Sequence, residues 1–142
     1  LQFSKRNEYR EYFTDRFGIP SEIMRKYEFF ERGKSVWAFS GKYVEIEGIE
    51  AIGIRALRIG GGLKPSTAFL RVVGSYATKN TVILDENEAL KYLSGEDIDK
   101  DFPVEPGYVI VRFEKDILGC GLYKGKLINQ IPKKYRKMET WI

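Results

Sequence analysis

Apolar positions first recur at helical spacing in "NEYREYFTDRF" (7–17), where Tyr9, Phe13 and Phe17 share a face and Tyr12 lies beside them. Gly18 stops this helix and Ile19-Pro20 turns the chain. Ser21 then caps a second short helix, expected to run through "EIMRKYEFFERG" to Gly33. Alternation takes over in "SVWAFS" and "KYVEIEG", which read as a hairpin about Gly41-Lys42. "AIGIRALRI" (51–59) is a further strand before the triple glycine at 60–62, and Pro65-Ser66 opens a helix with Ala68, Leu70, Val72 and Val73 as its apolar positions.

After a boundary at Thr78-Lys79-Asn80, "TVIL" reads as a short strand. Asp85 caps the helix "ENEALKYLSG", with Glu88 placed to complete a capping box and Gly95 closing the helix. The acidic, proline-bearing stretch 96–106 is a surface loop. "GYVIVRF", "ILGCGLY" and "KLINQI" form a run of three strands with turns at 114–116 and Lys124-Gly125. The order predicts an α+β protein: an N-terminal mixed α/β domain over 1–77, then a mostly β domain over 78–142. The second part is expected to curl into a small β-barrel, because short strands without helical cover need closure to hide their edges.

Composition narrows the chemistry. The 142 residues are 43% hydrophobic and 14% aromatic, enough to form a packed core, and include no histidine and a single cysteine, Cys120. Without histidine, the commonest general base and metal ligand are missing, along with Ser-His and Cys-His nucleophile pairs. One cysteine excludes an internal disulfide and argues against a zinc cluster. No apolar run approaches the roughly 20 residues of a membrane span, and no signal peptide is evident, so a cytoplasmic protein is expected. The net charge of +4 is unevenly distributed. Residues 51–84 (Arg55, Arg58, Lys64, Arg71, Lys79) and 117–138 (Lys124, Lys126, Lys133, Lys134, Arg136, Lys137) carry eleven cations and no acid. Such segregation favours an anionic partner docking on one face.

Other motifs give weaker readings. "IGGGLKPST" (59–67) lacks the Lys-Ser/Thr that a phosphate loop places after its last glycine, and reads as a turn leaving room for neighbouring backbone. Asp85, Glu86 and Glu88 suit a helix start. Asp97, Asp99 and Asp101 lack the glycine and closing glutamate of a calcium loop. Cys120 reads as a structural thiol; Gly119 and Gly121 beside it mark a bend or a close backbone approach, by protein or by a ribose-phosphate chain. No cofactor, metal or small-molecule substrate is expected.

The second half resembles the PUA-like domain family, in the version found at the C-terminus of Sun/Fmu-type ribosomal RNA cytosine methyltransferases and alone in small archaeal ribosome-biogenesis proteins. The matching positions are Tyr92, Leu93 and Gly95; Gly107, Tyr108, Val109 and Val111; Leu118, Gly119 and Gly121; then Lys126, Asn129, Pro132, Lys133 and Arg136. "YFTDRFGIP" and "YEFFERGKSVWAFS" are similar to the domain that precedes the PUA part in these proteins. The tail departs from the family at Gln130-Ile131 and Lys134-Tyr135, and this sequence carries no methyltransferase domain with its cofactor loop and paired catalytic cysteines. The resemblance implies RNA binding without catalysis, in ribosome biogenesis or RNA modification, on rRNA or tRNA. An RNA-modifying enzyme or ribosomal protein is a second expected partner class.

The candidate RNA-binding residues are Gly95, Lys124, Lys126 and Asn129, followed by Lys133, Lys134, Tyr135 and Arg136. Arg71, with Arg55, Arg58 and Lys64, is a candidate for extending this face from the first domain. Lysines release condensed counterions from phosphates, and arginine can grip a phosphate through two N–H groups. Asn129 can address a 2′-OH or base edge, or equally hold its own loop together. Tyr123 and Tyr135 are candidates for base stacking, and Pro132 fixes the loop that carries the cations. The alternative reading is a protein-interaction adaptor docking on an acidic ribosomal or enzyme surface.

Overall fold

Tyr9, Phe13 and Phe17 line the buried face of helix α1 (Glu8–Phe17), in a computed structural model that describes residues 7–40 and 53–136. Gly18 ends the helix in the left-handed region, its N–H donating to Thr14 O. The second helix is far shorter than its sequence suggests: α2 is Ser21–Met24, Pro20 holds the N-cap position, and Tyr27–Arg32 is strand β1. Tyr27, Phe29 and Phe30 explain the change, since ring side chains lose rotamer freedom in a helix and fit a pleated surface well. A turn at Gly33-Lys34 returns the chain into β2 (Ser35–Ser40), antiparallel to β1. The strand expected in "KYVEIEG" and its turn at Gly41-Lys42 lie outside the described residues.

Strands β3 (Ile54–Ile59) and β4 (Leu63–Pro65) complete a four-stranded antiparallel sheet in the order β1-β2-β3-β4. The triple glycine is the β3–β4 turn. Among the described residues, no atom beyond the glycine and its chain neighbours lies within 4 Å of where a Cβ would stand at Gly60, Gly61 or Gly62, so none of them uses the room predicted for a neighbouring backbone. What the turn uses is conformation, with φ of 63° at Gly61 and 131° at Gly62. Ser66 caps α3 (Thr67–Val73), accepting from Phe69 N–H at 3.0 Å and donating its hydroxyl to Arg55 O.

The second half contains β5 (Thr81–Leu84), α4 (Glu86–Leu93), β6 (Gly107–Phe113), β7 (Asp116–Tyr123) and β8 (Leu127–Asn129). The Asp85–Glu88 capping box forms as its spacing indicates, with bonds of 2.8 and 2.9 Å. The strands do not close into a barrel. They make an open sheet in the order β5-β6-β7-β8, with β5 parallel to β6 and the other pairs antiparallel. Closure is unnecessary because the central strands are covered on both faces: Val109 and Val111 pack into one core with Tyr92 and Leu93, while Ile110 and Cys120 pack into the other with Phe13, Phe69 and Leu70. Paired backbone bonds between Ile98 and Leu127, both 2.9 Å, cover the β8 edge.

Strand β7 is held from both halves of the chain. Beyond the last β7–β8 pair, Gly121 with Asn129, side chains take up the Cys120 backbone: its N–H donates to Thr67 Oγ1 at 3.2 Å, and its carbonyl accepts from the Tyr92 hydroxyl at 2.6 Å. A Cβ on Gly119 would stand 2.7 Å from that hydroxyl and 2.9 Å from Thr67 Oγ1, so only glycine admits both helices this closely. Gly119 and Gly121 are buried, so protein side chains rather than a ribose-phosphate chain make the close approach there.

Candidate nucleic-acid interface

A β-bulge aims the first set of cations. Val36 pairs with Leu57 and Trp37 with Arg55, leaving Ala56 as the extra residue on β3. Strict alternation would put Arg55 and Arg58 on opposite faces of the sheet. The inserted residue buries Ala56 and Leu57 in succession and leaves both arginines exposed. On β2, Val36 and Ala38 point into the core and Trp37 points outward, half-buried, across from Arg55.

These residues form one wall of a cleft of about 480 Å³. The β4–α3 segment, Lys64 to Ala68, lines it further, and Gln130, Pro132, Lys134 and Tyr135 of the tail complete it. Arg55, Arg58, Lys64 and Lys134 thus bring both acid-free segments to one cavity, and no Asp or Glu is among its described lining residues. A second, more open groove lies along β5; it holds Lys79 and Arg112 together with the acidic Glu105.

The tail wall is fixed by three anchors. Asn129 donates through Nδ2 to Tyr92 O at 2.7 Å and Glu96 O at 2.8 Å, and its Oδ1 accepts from Ile131 N–H at 2.9 Å. Its own N–H donates to the Asp97 carboxylate at 2.8 Å. Of the two roles open to Asn129, holding the loop accounts for both side-chain N–H donors. Ile131 is buried in the second core, and Pro132 leads into a 3-10 turn, Lys133–Tyr135.

Arg71 provides the third anchor. Leu118 is the extra residue of a second bulge, between the Val111–Gly119 and Arg112–Ile117 pairs, and its carbonyl accepts from Arg71 Nε at 2.9 Å. The same guanidinium lies 4.5 Å from the centre of the Tyr135 ring, with Lys134 Nζ at 5.2 Å from it. Arg71 therefore joins α3, β7 and the tail. Gly95, at φ 95°, makes room for Arg136: a Cβ there would stand 2.8 Å from Arg136 Nε.

The remaining candidates spread away from the cleft. Lys124 and Lys126 are exposed at the β7–β8 turn, Lys126 facing Asp97 at 3.8 Å, and Lys133 is exposed. Lys137 lies outside the described residues. Tyr123 is buried against Phe102, its hydroxyl accepting from Phe102 N–H at 3.2 Å, and is not placed to stack on a base. Burial pushes the Cys120 thiol up to about 12, with Lys64 opposing weakly. Sequence reasoning missed Trp37 as a site residue; the signal was its outward position between Val36 and Ala38.

Comparison with known proteins finds similarity over parts of the chain. Residues 79–137 match the methyltransferase RsmF PUA domain family, and residues 3–53 match a family of unknown function (DUF7122). A relative from Aeromonas salmonicida (strain A449), ribosomal RNA small subunit methyltransferase F, is 26% identical over 111 residues, 75% of this chain. The chain spans 23% of that curated relative's length. A solved structure of a conserved PUA domain protein from Thermoplasma acidophilum covers 93% of each chain at 17% identity, with a TM-score of 0.56.

Proposed function

We propose, for a chain that carries a PUA-like domain resembling the C-terminal region of the Sun/RsmF-type methyltransferases, that it binds ribosomal RNA in the cleft between its first sheet and the tail after β8, and catalyses no reaction on it. The observation that carries the reading is the meeting of Arg55, Arg58, Lys64 and Lys134 in one cavity with no carboxylate among its described lining residues. Segregated charge matters to a polyanion only when the fold brings it together. The PUA family supports RNA as the partner, and the name of the Aeromonas relative supports ribosomal RNA as its class, with a place in ribosome assembly or RNA modification. The absence of catalysis rests on a histidine-free sequence and on a lone thiol that is buried and protonated at neutral pH.

The test is fluorescence anisotropy with small-subunit ribosomal RNA fragments across a salt series. Four phosphate contacts predict a slope of log K against log salt of about −3, using ~0.7 per contact for single strands. Arg55→Ala with Arg58→Ala should flatten that slope by about 1.4 and leave the melting temperature nearly unchanged. An unaltered slope in the double variant would remove the cleft from RNA binding.

A further inference from the structure

Resting on the RNA-binding reading, we infer that the cleft takes an unpaired nucleotide whose base stacks on Trp37, so the ligand is single-stranded RNA, a loop or a bulge and not a continuous duplex.

Trp37 is the observation that points there. Its indole lines the cleft from the outward face of β2, half-buried, and among the described residues no ring or cation stacks on it and no group hydrogen-bonds to its N–H. Several large rings elsewhere are partnered. Phe13, Tyr27 and Phe29 each meet Phe69 ring to ring, and Phe102 packs on Tyr123. Tyr135, across the cleft, has Arg71 over its ring and serves as a wall. Among the described residues Trp37 is therefore a large aromatic face without a stacking partner, lining a cleft that holds four cations.

The chemistry of the surroundings selects the ligand. An unpaired base offers an open π-face, and the phosphates on either side of it lie within reach of cations on a groove rim. In a duplex each base is already stacked on both faces, and the A-form major groove is too deep and narrow for side chains to read. A cavity of about 480 Å³ falls in the range that encloses a small molecule, which suits a nucleotide and excludes a helix. Gln130, also lining the cleft, carries an amide able both to donate to and to accept from a base edge. Stacking tolerates any base, so the preference is for strandedness more than for sequence.

The chain has two tryptophans, Trp37 and Trp141, so Trp141→Phe makes Trp37 the sole indole reporter in the full chain. Titration with a short oligouridylate or oligoadenylate should quench its fluorescence saturably, while a blunt-ended RNA duplex of the same length should leave it largely unchanged. Trp37→Leu should then weaken single-strand binding by about 5- to 150-fold, Trp37→Phe should keep most of the affinity, and neither should alter duplex binding. Equal quenching by both RNAs, no quenching, or equal loss on both RNAs in Trp37→Leu overturns the inference. If Arg55→Ala with Arg58→Ala still weakens RNA binding while Trp37→Leu does not, only the stacking inference falls. If neither variant weakens binding, the RNA reading falls with it.

Discussion

Replacing Asn129 separates two roles that its chemistry allows equally well. The side chain makes three hydrogen bonds, to Tyr92 O, Glu96 O and Ile131 N–H, and links the end of α4 to the start of the tail. The Glu96 bond is exposed and water can replace it, whereas the other two are partly buried. At about 1 kcal/mol net for each partly buried bond, Asn129→Ala should destabilise the protein by roughly 2 kcal/mol. For a chain of this size that corresponds to a melting-temperature drop of about 6–10 °C. Asn129→Asp should be worse, because it turns a carboxylate oxygen toward two carbonyl oxygens where the amide offered N–H groups. Urea denaturation followed by circular dichroism gives the stability, and anisotropy with ribosomal RNA at a temperature where both proteins are folded gives the affinity. The clamp predicts alanine less stable than wild type and aspartate less stable still. If Asn129→Ala melted within 1 °C of wild type yet lost tenfold or more in RNA affinity, the side chain would be an RNA contact and the clamp argument would be wrong.

Arg71→Met keeps the apolar stem but removes both the Leu118 bond and the contact with Tyr135, so the 3-10 turn should loosen. Amide hydrogen exchange at residues 131–136 should accelerate at least several-fold with a stability loss of about 1 kcal/mol, and unchanged exchange there would exclude Arg71 as the anchor. Cys120 gives a pH prediction. Its folded pKa is raised from 9.0 to about 12 by burial, so between those values the unfolded chain releases a proton that the folded chain keeps. Stability is therefore insensitive to this group below pH 9 and falls as pH rises above it, by up to about 1.4 kcal/mol per pH unit. Tyr92 and Tyr12, both raised from 10.0 by burial, steepen the fall at higher pH. Denaturation curves at pH 8 and 10 should show the loss, and Cys120→Ala should reduce it; an equally steep loss in that variant would assign the effect elsewhere.

What could be read in advance follows the range of the interactions involved. The capping box at Asp85 and Glu88, the Ser66 cap and the stop at Gly18 are each settled within about four residues, and each forms as its spacing implies. The run from Tyr27 to Arg32 was misread because clustered aromatics satisfy helical and strand periods alike, and its pairing with Ser35–Ser40 decides the matter. The open sheet was illegible because its cover comes from α3, across a large sequence separation. The same holds for the site. Charge segregation, which needs only composition along the chain, singled out Arg55, Arg58, Lys64 and Lys134, but equally Lys79, Lys124, Lys126 and Lys133, which do not line the cleft. The bulge that brings Arg55 and Arg58 to one face depends on register against β2, which no local pattern encodes. Trp37 was masked by its neighbours, an apolar stretch that reads as core throughout.

The shared hold on Cys120 bears on whether the matched segment is portable. Thr67 comes from one half of the chain and Tyr92 from the other, and they hold the N–H and the carbonyl of the same residue. An excised fragment of residues 79–137 would keep its own strands but bare Ile110 and Cys120 along one side, an apolar strip inviting self-association. Transplanting this module into another protein therefore means carrying α3 with it, or supplying a substitute lid of similar shape that offers a hydroxyl where Thr67 now stands.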